Sequence, residues 1–275
     1  MFAALVIVFR EVVEAGLIVG IVLAATEGVA RRGRWISLGV LGGLIGAGVV
    51  AAFAGSIAQA VAGAGQEVFN ASVLLAATCM LGWHNIWMST HGRELSREMK
   101  ALGRSVVSGD RTLFAMSVVV AIAILREGSE VALFLFGIAA QGGQQPMAML
   151  AGGVLGLLAG AGLSFLIYRG LVAIPAGKLF GVTNWLLALL AAGMAGQAMV
   201  FLANANLVPP LGSQLWDTSA ILSDDSWGGR ALHALVGYSD RPMGIQVIVY
   251  LCVLATLIVA TRIARPRAAP TASAA

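Results

Sequence analysis

Charged residues are scarce in this chain. Asp, Glu, Lys and Arg make up 11% of its 275 residues, whereas a soluble domain carries about 25%. Hydrophobic residues make up 59%, and apolar runs long enough to cross a bilayer recur along the whole length. This composition excludes a sizeable soluble domain and predicts an all-α polytopic membrane protein.

Signatures of other protein classes are also missing. The 2 cysteines, Cys79 and Cys252, stand alone in apolar runs without a neighbour at metal-ligand spacing. No Gly-x-x-x-x-Gly-Lys-Ser/Thr loop and no constellation typical of an enzyme occurs, so ATP hydrolysis by this chain is not expected. The net charge of +4 comes from short loops beside apolar segments, which indicates a lipid bilayer and no nucleic acid as the partner.

Seven apolar segments predict seven transmembrane helices, roughly 1–25, 36–62, 67–90, 112–140, 147–173, 178–203 and 244–262. Of the 17 Lys and Arg residues, 13 fall in the loops after the first, third and fifth segments and in the tail. The positive-inside rule then predicts a multi-pass protein of the cytoplasmic (inner) membrane, with the N-terminus outside and the C-terminus in the cytoplasm. We interpret loop 91–111 as a solvated surface helix and the tail 263–275 as disordered.

Two short charged clusters interrupt this apolar pattern. Arg10-Glu11-x-x-Glu14 lies in the first segment, and an equally spaced Arg126-Glu127-x-x-Glu130 lies 116 residues later, in the fourth. The stretch EVFNASVLLAA (67–77) also resembles KLFGVTNWLLA (178–188). These matches predict two repeats of three helices, about 1–90 and 112–203, which are inverted because three is an odd number. The outer loop 204–243 and a seventh helix, 244–262, lie outside the repeats.

The two clusters predict a cation site. Residues three apart share one face of a helix, so the two glutamates of each motif project together. An ionised side chain at the bilayer centre costs roughly 2.5–3.5 kcal/mol, which favours pairing or a bound ion. We therefore predict a midplane site for a hard multivalent metal ion, supported by ion pairs to Arg10 and Arg126; its four ligands are Glu11, Glu14, Glu127 and Glu130.

Two other interpretations of the clusters stay open. The Arg–Glu pairs of a membrane anchor subunit would only fasten helices together and dock a partner. A proton relay would use the same glutamates without any metal. The repeated motif favours the metal site over both alternatives, because two matching clusters on related helices are more than fastening requires.

The doubled motif, in the first and fourth of seven segments, resembles the oxidase-dependent iron permease family, the high-affinity iron transporters of fungi and bacteria, including the EfeU-type bacterial branch. The resemblance extends to the outer loop WDTSAILSDDSWGGRALHALVGY (216–238). It implies a permease and not an enzyme, with iron carried as substrate by the four motif glutamates and no permanently bound cofactor. It also implies an extracytoplasmic iron oxidase or iron-delivery protein as partner. Proposed lead permeases belong to the same family, so another divalent metal stays open.

Other polar residues are candidates for the ion path. Glu67, at the outer start of the third segment, either relays metal inward or is a solvated carboxylate at a helix start. Asp224 and Asp225 lie in the acidic outer loop, where they either capture metal or cap a short helix; capping by Ser223 or Asp224 is the favoured interpretation. His84 is a candidate exit ligand, and His233 is expected to be packed.

Overall fold

The computed structural model describes residues 1–60, 65–141, 145–170 and 176–264. These residues form eight helices and no strand, which confirms the all-α prediction for the part of the chain that is described. Residues 263–264 of the predicted disordered tail belong to the last helix, so the prediction was wrong for these two residues. The rest of the tail, 265–275, and the predicted ends of two segments, at 61–62 and 171–173, lie outside the described residues. The helices are α1 (Phe2–Ala25), α2 (Arg32–Ala60), α3 (Gln66–Val107), α4 (Leu113–Ala140), α5 (Pro146–Tyr168), α6 (Ala176–Asn204), α7 (Trp227–Val236) and α8 (Gly244–Ala264).

Four of the helices are long and apolar enough to cross a membrane. They are α2, α5, α6 and α8, over Arg32–Ser56, Pro146–Tyr168, Gly181–Asn204 and Gly244–Ala264. Large apolar side chains point outward along them, with Phe53 69% and Leu158 64% exposed. Such surfaces are covered by lipid, so the chain is a helical multi-pass membrane protein. Helices α1 and α4 are as long but carry three charged residues each.

Helix α3 differs from its prediction. The sequence indicated a segment ending near residue 90 and a separate solvated helix after it, but α3 runs unbroken for 42 residues. At 1.5 Å per residue its length is about 63 Å, twice the thickness of a bilayer core. Its second half is not solvated on all sides, because Met99, Leu102 and Val106 are buried in one apolar cluster with residues of α1, α2 and α4. The mixed charges of loop 91–111 concealed this apolar stripe.

Local sequence explains where several helices begin. Thr112 caps α4 by accepting a hydrogen bond from the amide of Ala115 at 3.1 Å. Pro146 opens α5, where its fixed φ suits the first helical turn and its missing N–H is not needed.

Helices α3 and α6 are joined by buried hydrogen bonds, from the Thr78 hydroxyl to the Ala191 carbonyl and from Asn85 Nδ2 to the Asn184 carbonyl.

Helix α2 packs closely on α4 through glycines. A Cβ atom added to Gly39 would lie 2.5 Å from the carbonyl oxygen of Ser117, and one added to Gly43 would lie 2.6 Å from that of Ala121. These positions therefore have no room for a side chain. Small residues at this spacing let two membrane helices approach to backbone contact.

Helix α5 packs on α1 in the same way. Gly152 lies against the carbonyl of Met1, and a Cβ atom added to Gly156 would lie 2.6 Å from the carbonyl of Leu5. Adding 116 to 1 and 5 gives 117 and 121, the positions that the α2 glycines contact on α4. Each of the two motif helices is thus clasped by a glycine-bearing helix from the other half of the chain.

We predict that Gly156→Val destabilises the fold, because the new side chain meets the backbone of Leu5 and Phe9. Overpacking of this kind costs about 1–3 kcal/mol. Thermal unfolding of the purified protein in detergent micelles measures the effect as a lowered Tm. Gly162→Val, on the same helix with nothing within 4 Å of an added Cβ, is the control. Equal Tm values for the two variants would contradict the close α1–α5 contact.

Candidate metal centre

The α1 cluster is fully buried. Arg10, Glu11 and Glu14 are each no more than 2% exposed. Arg10 donates a hydrogen bond from Nη1 to Glu11 Oε1 at 2.8 Å and forms an ion pair with Glu14, whose Oε1 lies 2.7 Å from Nη2. One guanidinium therefore serves two carboxylates, which leaves the cluster with one uncompensated formal negative charge.

The α4 cluster has the same composition but a more open arginine. Nε of Arg126 lies 3.2 Å from Glu130 Oε1 and 4.0 Å from Glu127 Oε1, and the Arg126 side chain is 38% exposed. Its guanidinium lies over the ring of Trp87, 4.1 Å from the centroid, which is cation–π geometry. The ring of Trp87 therefore helps to position Arg126.

The structure brings the four predicted glutamates together. Donor atoms of Glu11, Glu127 and Glu130 lie within 4.8 Å of one another, and so do those of Glu11, Glu14 and His84. Glu11 belongs to both groups, so the carboxylates of α1 and α4 form one continuous cluster. A cluster that combines oxygen donors with an imidazole is the donor set that first-row divalent metals bind.

Several oxygens of this cluster have no hydrogen-bond partner among the described residues. Two of these unpaired oxygens, Oε2 of Glu11 and Oε2 of Glu127, are buried. Both residues line a cavity of about 660 Å³ between α1, α2, α4 and α5 whose other walls are almost entirely apolar. An unpaired buried carboxylate oxygen is costly, and a bound cation removes that cost.

His84 is the residue of this centre whose position the sequence did not reveal. It is 2% exposed and contacts carboxylates on both motif helices: its Nε2 lies 3.5 Å from Glu14 Oε2, and its Nδ1 contacts Glu130 Oε2. Its place in the inner half of the third segment made it a candidate exit ligand, and Ala195 at the matching position of the second repeat gave that role no support. The position of His84 depends on α3 crossing α1 and α4, and a sequence repeat carries no information about that crossing.

The candidate outer residues lie apart from this cluster. Glu67 stands in the first turn of α3 and belongs to neither group of donors. The cap of α7 is Ser226, whose hydroxyl accepts from the amide of Gly229 at 2.9 Å, so the prediction of Ser223 or Asp224 as the cap was wrong. Ser226 is favoured because its backbone is extended directly before the helix.

Asp224 instead joins two segments of the outer loop. Its Oδ1 accepts from the Asp240 amide, and its own amide donates to Asp240 Oδ2, both at 3.2 Å. Burial raises the pKa of Asp224, and repulsion from the Asp240 carboxylate raises it further. The Asp225 side chain is 99% exposed, 4.0 Å from Arg230.

A second acidic residue closes the base of the outer loop. Asp217 accepts hydrogen bonds from the hydroxyl and amide of Ser219, at 2.6 and 3.0 Å, and from Arg241 Nε at 3.1 Å. The Ser219 hydrogen bonds, with a smaller contribution from Arg241, lower the pKa of Asp217 to about 2. His233 is half-buried, with Nδ1 2.7 Å from the Tyr238 carbonyl, so one ring nitrogen is occupied within the loop.

Buried ionisable residues inside a bundle of apolar helices define a class of membrane transport protein, because such residues mark ion pathways. The chain matches the Iron permease FTR1 family over residues 1–265 and belongs to that family. It is a permease and not an enzyme.

Curated relatives agree with this membership. The chain is 30% identical to a ferrous iron permease EfeU of Escherichia coli O6:K15:H31, over 99% of both chains. It is 29% identical to a ferrous iron permease EfeU of Yersinia pestis, over 91% of this chain and 89% of the relative. A protein of Escherichia coli K12 described as a putative inactive ferrous iron permease EfeU is also 29% identical, over 99% of both chains. No solved structure matches the chain significantly.

We predict that Asp224→Asn relieves repulsion in the outer loop while keeping an oxygen acceptor for the Asp240 amide. Since the folded state raises the pKa of Asp224, its contribution to stability is present below the ordinary value of 3.8 and is lost as the pH rises through the folded value. Asn does not ionise, so the variant does not lose this stability. The difference in Tm between the variant and the unmodified protein should therefore increase as the pH rises from 3.5 to 7.

The control is Asp225→Asn, which changes a fully exposed carboxylate and should leave Tm unchanged at either pH. A lower Tm for Asp224→Asn at pH 7 would contradict the repulsion. Uptake measured on the same two variants tests metal capture: an unchanged half-saturating iron concentration in both would rule it out.

Proposed function

We propose that this protein imports iron across the cytoplasmic membrane through one site formed by four glutamates, Glu11, Glu14, Glu127 and Glu130. The observation that carries the proposal is that Glu11 and Glu127 are buried with carboxylate oxygens that have no hydrogen-bond partner among the described residues. Each motif keeps a formal charge of −1, and a bound cation offsets that charge.

The site lies between two inverted three-helix repeats. Matched glycine contacts support this arrangement: the α2 glycines meet α4 at Ser117 and Ala121, and the α5 glycines meet α1 at Met1 and Leu5. A two-fold axis in the membrane plane relates such contacts, and transporters of this plan bind their substrate at the axis. Helices α1 to α6 and α8 then cross the membrane, while α7 lies in the outer loop.

Iron is the cargo of this site and not a resident cofactor. Membership of an iron permease family supports iron, and the names of the relatives favour Fe(II). The basic loops support a C-terminus in the cytoplasm. The acidic loop 204–243 is then outside, where it attracts cations. An iron oxidase or delivery protein outside the membrane completes the proposal. Lead and other divalent metals are competitors in the same assay.

Substitution of each motif glutamate tests the site. Glu→Gln at 11, 14, 127 or 130 keeps the size of the side chain and removes an anionic ligand, so iron uptake should fall about tenfold or more. Uptake is measured in liposomes that contain only this chain, with Fe(II) under reducing conditions and with Fe(III) citrate. Glu27→Gln, at an exposed carboxylate just beyond α1, is the matched control. Unmodified protein that moves neither form of iron would contradict the proposal.

A double substitution separates transport from helix fastening. Arg126 and Glu130 form an ion pair at 3.2 Å, so Arg126→Gln with Glu130→Gln removes both charges and leaves neither partner unpaired. Fastening alone predicts that the double variant is milder than either single variant and transports normally. The metal site predicts that it is folded, by size-exclusion chromatography, and inactive.

Cysteine labelling in intact cells tests the orientation. Cys79 and Cys252 are exposed on the helix surfaces and are first replaced by Ser. A cysteine at Ser108, after α3, should then resist an impermeant maleimide, because positive-inside loops face the cytoplasm. A cysteine at Ser213, in the outer loop, should react. Labelling of both positions from outside would contradict the seven-helix arrangement.

A further inference from the structure

The geometry points to His84 as a direct nitrogen ligand of the transported ion, which sets the preference of the site for iron over harder divalent cations such as Mn²⁺ and Mg²⁺. The inference deepens the four-glutamate site and rests on it. It adds a residue of α3, which carries no Arg-Glu-x-x-Glu motif, to the ligands from α1 and α4.

The orientation of the imidazole supports ligation. Nδ1 of His84 contacts Glu130 Oε2 as an ion-pair partner, and in the tautomer protonated on Nδ1 this contact holds the N–H beside that carboxylate. The lone pair of Nε2 then faces Glu14. Metal-binding histidines use this arrangement, in which one ring nitrogen donates to a carboxylate and the other holds the metal. Glu130 keeps a lone pair for the ion, because each carboxylate oxygen has two.

The spacing of the donors also fits a shared ion. Nε2 of His84 and Oε2 of Glu14 lie 3.5 Å apart, which is too long for a good hydrogen bond. Two donors that are each about 2.1 Å from one ion are separated by about 3.0–3.4 Å at octahedral or tetrahedral angles. One donor atom from each of Glu11, Glu14 and His84 lies within 4.8 Å of the others. These three side chains therefore surround a position for one cation.

Burial rules out solvent as the partner of this ring. The side chain of His84 is 3% exposed and that of Glu14 is not exposed. Neither ring nitrogen has a hydrogen bond of good geometry among the described residues. A nitrogen that faces a carboxylate in a dry site requires a proton or a metal ion between the two groups, and a site that transports metal supplies the ion.

Ligand chemistry gives the consequence for selectivity. Oxygen-only sites suit Mg²⁺, Ca²⁺ and Mn²⁺, whereas imidazole favours Fe²⁺, Ni²⁺, Cu²⁺ and Zn²⁺. Four carboxylates alone would discriminate poorly between iron and the abundant harder cations. A single imidazole shifts the preference toward iron, and the second half of the chain, with buried Ala195 at the matching position, contributes no second one.

X-ray absorption at the iron edge tests the ligand directly. The chain has 3 histidines, so in the variant His91→Gln/His233→Gln only His84 remains. His91 is exposed and stacks on Trp87, 5.1 Å between centroids, and His233 lies in the outer loop, so this variant should fold. When this variant is loaded with Fe(II) under anaerobic conditions, its spectrum should show the outer-shell scattering of one imidazole ring. A spectrum in which the bound iron has only oxygen-donor ligands would overturn the inference.

Competition binding on the purified protein tests selectivity. His84→Gln should lower the affinity for Fe(II) about tenfold or more and that for Mn(II) less than about threefold. Equal losses for both metals would overturn the inference and would mean that His84 only positions Glu14 and Glu130. Failure of the four-glutamate site looks different, because there the Glu→Gln variants would keep normal uptake whatever ligand the iron spectrum shows.

Discussion

The structure depends on one constraint: two helices that each carry an uncompensated carboxylate must meet inside an apolar bundle. An ionised side chain at the bilayer centre costs roughly 2.5–3.5 kcal/mol, and neither Arg10 nor Arg126 neutralises both of its glutamates. Helices α1 and α4 therefore place their charged faces together, where α3 adds His84. The glycines of α2 and α5 support this arrangement, because they allow α2 to pack in backbone contact with α4 and α5 to pack in backbone contact with α1.

The two halves of the centre are alike in backbone and different in chemistry. Arg10 is enclosed, while Arg126 is partly open and rests on Trp87. The imidazole from α3 also has no equivalent from α6, where Ala195 is buried instead. In the proposed site, the repeated motif supplies the carboxylates for a multivalent ion, and the imidazole that departs from the repeat gives the site its proposed preference among ions.

The outer loop is an ordered structure in its own right. Asp217 and Arg241 close its base, Asp224 and the Asp240 backbone bond to each other, and Ser226 begins α7. A Cβ atom added to Gly193 of α6 would lie 2.6 Å from the Cα of Gly237, so the end of α7 is fixed to the bundle. Acidic residues that hold a loop together in this way are less free to bind metal than an acidic sequence suggests.

Composition and pattern alone determined the all-α membrane class, most of the helix segments and the residues of the two charged motifs. Hydropathy and helical spacing are local properties, so 116 residues of separation do not hide a repeated Arg-Glu-x-x-Glu. Only the tertiary structure decided that α3 continues for 42 residues, that Ser226 caps α7, and that His84 faces Glu14 and Glu130. These features depend on which helices cross and at what depth. Glycine contacts and packed side chains from distant segments set the crossings, and such contacts leave no periodic signal in the sequence.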